Sequence, residues 1–201
     1  MKTLVSIAFA ALVAGQAVAA DAAAELKQHL ADLQGFQAQF KQTVIDADGV
    51  NIHEAEGKLS LARPAKLNWQ QVMPEQDMIV SDGSTIWYYS PFVEQVTIMD
   101  AGEAINQSPF ILLADDRKES WQNYQVEKLE QGYLVKSKQD PMQAAFWVKL
   151  NADSSISRFD IIESTGQRSE FTLDSFKANP KFDSKLFQFD IPANTMIDDQ
   201  R

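Results

Sequence analysis

The chain has no cysteine and only two histidines. The first absence excludes a disulfide scaffold, a thiolate metal site, a cysteine nucleophile and any lipid attached through sulfur. The second leaves little room for imidazole chemistry. His29 falls on a predicted helix without a Glu-x-x-His partner, and His53 sits in a predicted strand beside Glu54 and Glu56, so both read as solvated surface residues. Basic residues are scarce as well: 18 Lys and Arg stand against 28 Asp and Glu, a formal charge of −10. They form no cluster, which argues against a nucleic-acid partner held through phosphates.

Catalytic signatures are missing too. There is no G-x-S-x-G elbow, no P-loop and no dinucleotide fingerprint. The adjacent carboxylates Asp115-Asp116 and Asp198-Asp199 read as solvated charge. Asp46 and Asp48 belong to a turn rather than a calcium loop, because no glutamate follows to complete the ligand set. Neither a metal, a cofactor nor an enzymatic activity is expected.

Long apolar runs are absent after the first twenty residues, and even there Leu4 to Val13 is shorter than the roughly 20 residues of a membrane span. Lys2 before that run and Val18-Ala19-Ala20 after it make residues 1–20 a secretory signal, removed on export. Residues 21–201 are then expected to form one domain, free in its compartment.

From Asp21 to Gln34 the apolar residues Ala23, Leu26, Leu30 and Leu33 recur every three or four positions, which predicts an amphipathic helix with Asp21 as N-cap and Gly35 as stop. The period then switches to two. Phe36, Ala38 and Phe40 alternate with Gln37, Gln39 and Lys41, and the run continues to Ile45. Further strands are predicted at about 52–63, 66–72, 78–81, 85–90, 94–99, 123–129, 133–138, 145–150, 156–164 and 167–176, eleven in all. Hairpin-length turns such as Asp46-Ala47-Asp48-Gly49 and Thr165-Gly166 make neighbours antiparallel. A second, almost wholly apolar helix is predicted where Ser108-Pro109 leads into Phe110, Ile111, Leu112, Leu113 and Ala114. A last helical turn is expected over 182–187.

A long meander with so few helices must close, fold into a sandwich, or curl and be covered, and one face of a curled sheet is the best common place for all the helices. Several strands carry large apolar side chains on both alternating faces, notably Ile86-Trp87-Tyr88-Tyr89, Phe92-Val93 and Ala145-Phe146-Trp147-Val148. These residues suit either a core under helices or the lining of an apolar pocket, with Trp87, Tyr89 and Phe92 as candidate ligand contacts.

At Arg63-Pro64, at Val80-Ser81-Asp82-Gly83, at Trp87-Tyr88-Tyr89-Ser90-Pro91-Phe92-Val93-Glu94-Gln95 and at Asp198-Asp199-Gln200-Arg201 the chain resembles the LolA family of periplasmic outer-membrane lipoprotein carriers. The resemblance implies a mainly β fold: an unclosed eleven-stranded antiparallel half-barrel whose apolar cavity is covered by short lid helices. It implies a soluble, monomeric periplasmic chaperone that takes acylated lipoproteins from an ATP-driven transporter of the inner membrane and delivers them to an outer-membrane receptor. By the same resemblance Arg63 is the lid latch, and Leu67 and Trp69 line or border the cavity. The lid carries Leu26, Leu30 and Leu33 on one helix and Phe110, Ile111 and Leu113 on the other. Leu67 and Asn194 stand where relatives often carry an aromatic and a glycine; Asn tolerates positive φ.

Overall fold

Period-two alternation becomes strands almost wherever the sequence predicts them. A computed structural model describes residues 22–102, 112–114 and 121–201. The expected signal at 1–20, the N-cap Asp21, the helix start Ser108-Pro109 with Phe110 and Ile111, and Asp115-Asp116 lie outside the described residues. The strands are β1 (Gly35–Ile45), β2 (Asn51–Ala62), β3 (Lys66–Met73), β4 (Met78–Asp82), β5 (Thr85–Ser90), β6 (Gln95–Asp100), β7 (Tyr124–Leu129), β8 (Gly132–Ser137), β9 (Ala145–Leu150), β10 (Ile156–Ile162), β11 (Arg168–Ala178) and β12 (Met196–Asp199). A helix, α1, spans 22–30.

These strands form one open sheet in the order β12-β6-β5-β4-β3-β2-β1-β11-β10-β9-β8-β7. Two antiparallel meanders therefore meet at a central seam, where β1 pairs with β11. The twelfth strand departs from the expected eleven. β12 is only four residues long, and it runs parallel to β6, pairing Ile197 with Val96. No hairpin or long alternation announces it, because the strand is reached by a crossing of the sheet rather than by a turn.

The sheet must curl. Laid flat, the seven steps from β3 to β7 would span about 34 Å, whereas α1, nine residues long, measures about 13 Å. Yet one buried cluster joins Leu26 and Leu30 of α1 to Leu67 on β3 and Val126 on β7. Only an inner, concave face lets one helix reach both.

Opposed residues share a face, so the register sorts the strands into two apolar layers. Leu59, Trp69 and Ile79 are in line across β2, β3 and β4, on the side of the helix. Asn68, Val80, Trp87 and Ile98 are in line on the opposite side. There the C-terminal segment crosses the sheet. A 3₁₀ turn, Ser184–Phe187, is capped by the Asp183 carboxylate, which accepts from Lys185 N–H at 3.0 Å. Asn68 Nδ2 donates to Leu186 O at 2.6 Å, and Phe189 lies 6.4 Å from Trp87 and 5.5 Å from Tyr89 between ring centres. The expectation of a common helical face is thus corrected: the helical turn at 184–187 covers the convex face, because β3 to β6 are apolar on both sides and need two covers.

Farther along the convex face, Asp160 is 2% exposed. Its carboxylate accepts from Arg158 at 2.9 and 3.1 Å, and Arg158 also meets Glu170 at 2.8 Å and lies over the Trp147 ring at 5.5 Å. Burial raises the Asp160 carboxyl above its usual 3.8, against the opposing pull of Arg158.

One glycine is dictated by packing. A Cβ on Gly57 would run into Gln70 O and the Phe40 ring, so the ring lies flat on β2 only because the side chain is missing. Gly57→Val is expected to cost about 3 kcal/mol by overpacking, read as a lower urea midpoint with an unchanged slope. A second expectation concerns Asp160. A carboxyl that holds its proton more tightly when folded favours folding at low pH, and that advantage fades as pH rises from 3.8 through the folded value. As pH rises above 3.8 the wild type should therefore lose stability relative to Asp160→Asn; a flat difference in urea unfolding would contradict it.

Candidate functional site

The inner face carries a row of aromatic rings placed by the alternation of β3, β1, β11, β10 and β9. Trp69 and Phe40 are 4.1 Å apart between centroids, Trp69 and Phe171 5.1 Å, Phe171 and Phe159 4.5 Å, and Phe159 and Phe146 5.8 Å. Offset and edge-on rings at such separations attract beyond their buried area. Phe36 adds a stacked contact with Phe176 at 4.9 Å near the end of the seam.

Above this row sits α1, and its predicted stripe is what faces down. Leu26 and Leu30 are each 1% exposed, and Leu33 just beyond the helix is buried with them. Leu112, Leu113 and Ala114 join the same cluster. Among the described residues, the leucines of the cover thus fill the space over the row.

Polar ties hold the cover at both ends. Near the start of α1, Glu25 accepts from Lys128 Nζ at 2.7 and 2.9 Å and from the Tyr133 hydroxyl. Lys128, then Tyr133, lower the Glu25 carboxyl; burial, then Glu25, push the Tyr133 phenol up to about 12. In mid-helix Lys27 Nζ is 5.3 Å from the Trp121 ring centre, and at the last turn of α1 His29 Nδ1 and Ser154 Oγ are 3.1 Å apart. At the far end Gly35 does not act as the helix stop; it is the first residue of β1. The stop comes from Asn179, at φ 50°. Its Oδ1 accepts from Gln34 N–H at 2.8 Å and Gly35 N–H at 3.3 Å, its Nδ2 donates to Asp32 O at 2.9 Å, and its own N–H donates to Gly35 O at 2.8 Å.

Arg63 lies in the turn between β2 and β3, where its N–H donates to Gln34 O at 2.9 Å. Two residues on, Ala65 N–H donates to Ala114 O at 3.0 Å. One turn therefore touches the end of α1 and the 112–114 segment together.

Of the residues singled out in the sequence, Leu26, Leu30, Leu33, Leu67, Trp69 and Leu113 are brought together on the inner face. Trp87 and Tyr89 are not: the register turns them to the convex face, against Phe189. Phe92 joins neither, being 86% exposed in the turn between β5 and β6. Phe110 and Ile111 lie outside the described residues. The sequence reading left Phe146 open between core and pocket and missed Phe159 and Phe171 as members of the aromatic row, and alternation inside β10 and β11 is the signal that could have found them. Among the described residues no group of three or more His, Cys, Asp or Glu could hold a metal, and no helix is long and apolar enough to cross a membrane.

The family profile of the outer membrane lipoprotein carrier protein LolA matches residues 31–190. The chain belongs to the LolA family. The outer-membrane lipoprotein carrier protein of Aeromonas salmonicida (strain A449) is 43% identical over 202 residues, 100% of both chains. That of Psychromonas ingrahamii is 38% identical, covering 98% of this chain and 97% of the relative. That of Proteus mirabilis (strain HI4320) is 36% identical, covering 100% and 99%. In fold, an uncharacterized conserved protein from Thermus thermophilus superposes with a TM-score of 0.53 at 14% identity, over 90% of this chain and 99% of that one. The mainly β, unclosed sheet under a helical cover is thus the LolA-family fold. In this LolA-family chain, Leu30→Ala empties a buried position of the inner cluster and is expected to cost about 3 kcal/mol in urea unfolding.

Proposed function

We propose that the chain is a soluble carrier of the periplasm that shields the acyl chains of lipoproteins. It receives them from an ATP-driven transporter in the inner membrane and hands them, as a monomer, to an outer-membrane receptor. The observation that carries this reading is an aromatic and aliphatic inner face roofed by one short helix, in a chain of the LolA family. The leader expected at residues 1–20 supports export, and the missing cysteine supports a diffusing carrier rather than a lipid-anchored receptor of the same shape.

Energetics restrict how such a carrier works. The acyl chains of a lipoprotein hold dozens of methylenes, and at about 0.8 kcal/mol for each buried CH₂ their transfer from water exceeds the ceiling of non-covalent affinity. Passage through water is therefore excluded, and the chains must move from one apolar environment to another. The net balance then rests on small terms: displacing Leu26, Leu30, Leu33 and Leu113 from the aromatic row, and breaking the polar ties of the cover. No nucleotide motif is present in the sequence, so the transporter supplies the work of loading.

Arg63 is the latch in this reading. Its turn lies against both pieces of the cover through main-chain bonds to Gln34 O and Ala114 O, which Arg63→Leu keeps, and guanidinium bonds to the cover formed only when it is shut would oppose loading and assist release. A bond to a charged group contributes about 1.5 to 3 kcal/mol.

The reading is tested on spheroplasts making an acylated lipoprotein. Adding the wild-type chain should release a soluble one-to-one complex; ester turnover in its place would point to a hydrolase, and no release would end the carrier reading. In the same assay Arg63→Leu should take up lipoprotein but pass it to the receptor several-fold more slowly. Normal transfer by that variant would remove Arg63 from the latch.

A further inference from the structure

We propose that the cover opens as a flap, with a fixed pivot where Asn179 clasps the Gln34–Gly35 junction and a second latch at the opposite end, Glu25 on Lys128 and Tyr133. The proposal deepens the carrier reading and rests on it, because it names how the acyl site is uncovered.

The two ends of α1 are held in different ways. At the junction, Asn179 makes four hydrogen bonds to the backbone of Asp32, Gln34 and Gly35, and Arg63 N–H adds a fifth at Gln34 O. All five are directed at main chain between segments that the sheet already fixes: the start of β1, the end of β11 and the turn after β2. Net values of about 1 kcal/mol each make this end costly to release. At the other end the holding falls to the Glu25 carboxylate and to Lys27 over the Trp121 ring. Glu25 and Lys128 side chains remain 36% and 55% exposed, and an exposed ion pair contributes little and is screened by salt.

The ends also face different halves of the sheet. Glu25 reaches β7 and β8, and His29 reaches the turn between β9 and β10, whereas the pivot joins β1, β2 and β11. Release at Glu25 therefore swings Leu26 away first and Leu33 least. It uncovers the β8 to β10 side of the aromatic row, around Phe146 and Phe159, before the side around Trp69. Acyl chains enter over that half.

Amide hydrogen exchange on the full chain tests this without cargo. Glu25→Lys or Lys128→Glu should speed exchange at residues 26–30 by about 1.5- to 5-fold, the range expected on losing an exposed pair. The increase should be larger at Leu26 than at Leu30, while β1 and β11 stay slow. Carrying both reversals together should restore the wild-type rates to within about twofold. Asn179→Ala should instead speed the amides of Gln34 and Gly35. Unchanged rates at 26–30 in both single variants, an equal rise at Leu26 and Leu30, or an equal rise throughout β1 and β11 would each overturn the flap. A wild-type chain that releases no lipoprotein from spheroplasts overturns the carrier reading instead and leaves these rates as they are, so the two failures are told apart.

Discussion

The burial of three leucines in one cluster with a row of rings governs this structure. Leu26, Leu30 and Leu33 share that cluster with Phe40, Trp69, Phe171 and Phe159, which lie on strands that a flat sheet would hold well apart. Burying that much apolar surface under one short helix forces the sheet to curl, and the curl in turn brings β7 and the turn after β2 within reach of the same helix. The polar ties at Glu25, His29 and Gln34 follow from that geometry. They orient the cover, and the apolar contact supplies most of its hold.

A second consequence is the division of labour between the two faces of β3 to β6. The inner layer meets α1, the outer layer a C-terminal segment stitched down by Asn68, Phe189 and the pairing of β12 with β6. The C-terminal cover braces that half of the wall from behind. The convex ion network of Arg158, Asp160 and Glu170 stiffens the other half of the wall in the same sense.

Much of this was legible in the residues. Alternation with intervening turn chemistry located eleven strands within a few positions, and the stripe Ala23, Leu26, Leu30, Leu33 identified the buried side of α1. The face of each large residue was not legible in β5, because Ile86, Trp87, Tyr88 and Tyr89 are apolar in succession and a run without polar partners has no readable inside. Sequence alone therefore places Trp87 and Tyr89 with the ligand when they belong to the back. β12 and the helix stop at Asn179 were hidden for a related reason. Both depend on partners distant in sequence, Val96 for the strand and Gln34 for the stop, and no local pattern records such a pairing.

The seam between β1 and β11 carries a further implication, for the order in which the molecule assembles. Phe40 opposite Leu173 and Gln42 opposite Phe171 unite the two ends of the chain at the middle of the sheet. Each meander can zip locally from its hairpins, but neither has an inner face worth covering until the other arrives, and closing so large a loop is slow. Until the last third of the polypeptide is present, the rings of β1 have only half a wall, and the helix that precedes them has nothing complete to close upon.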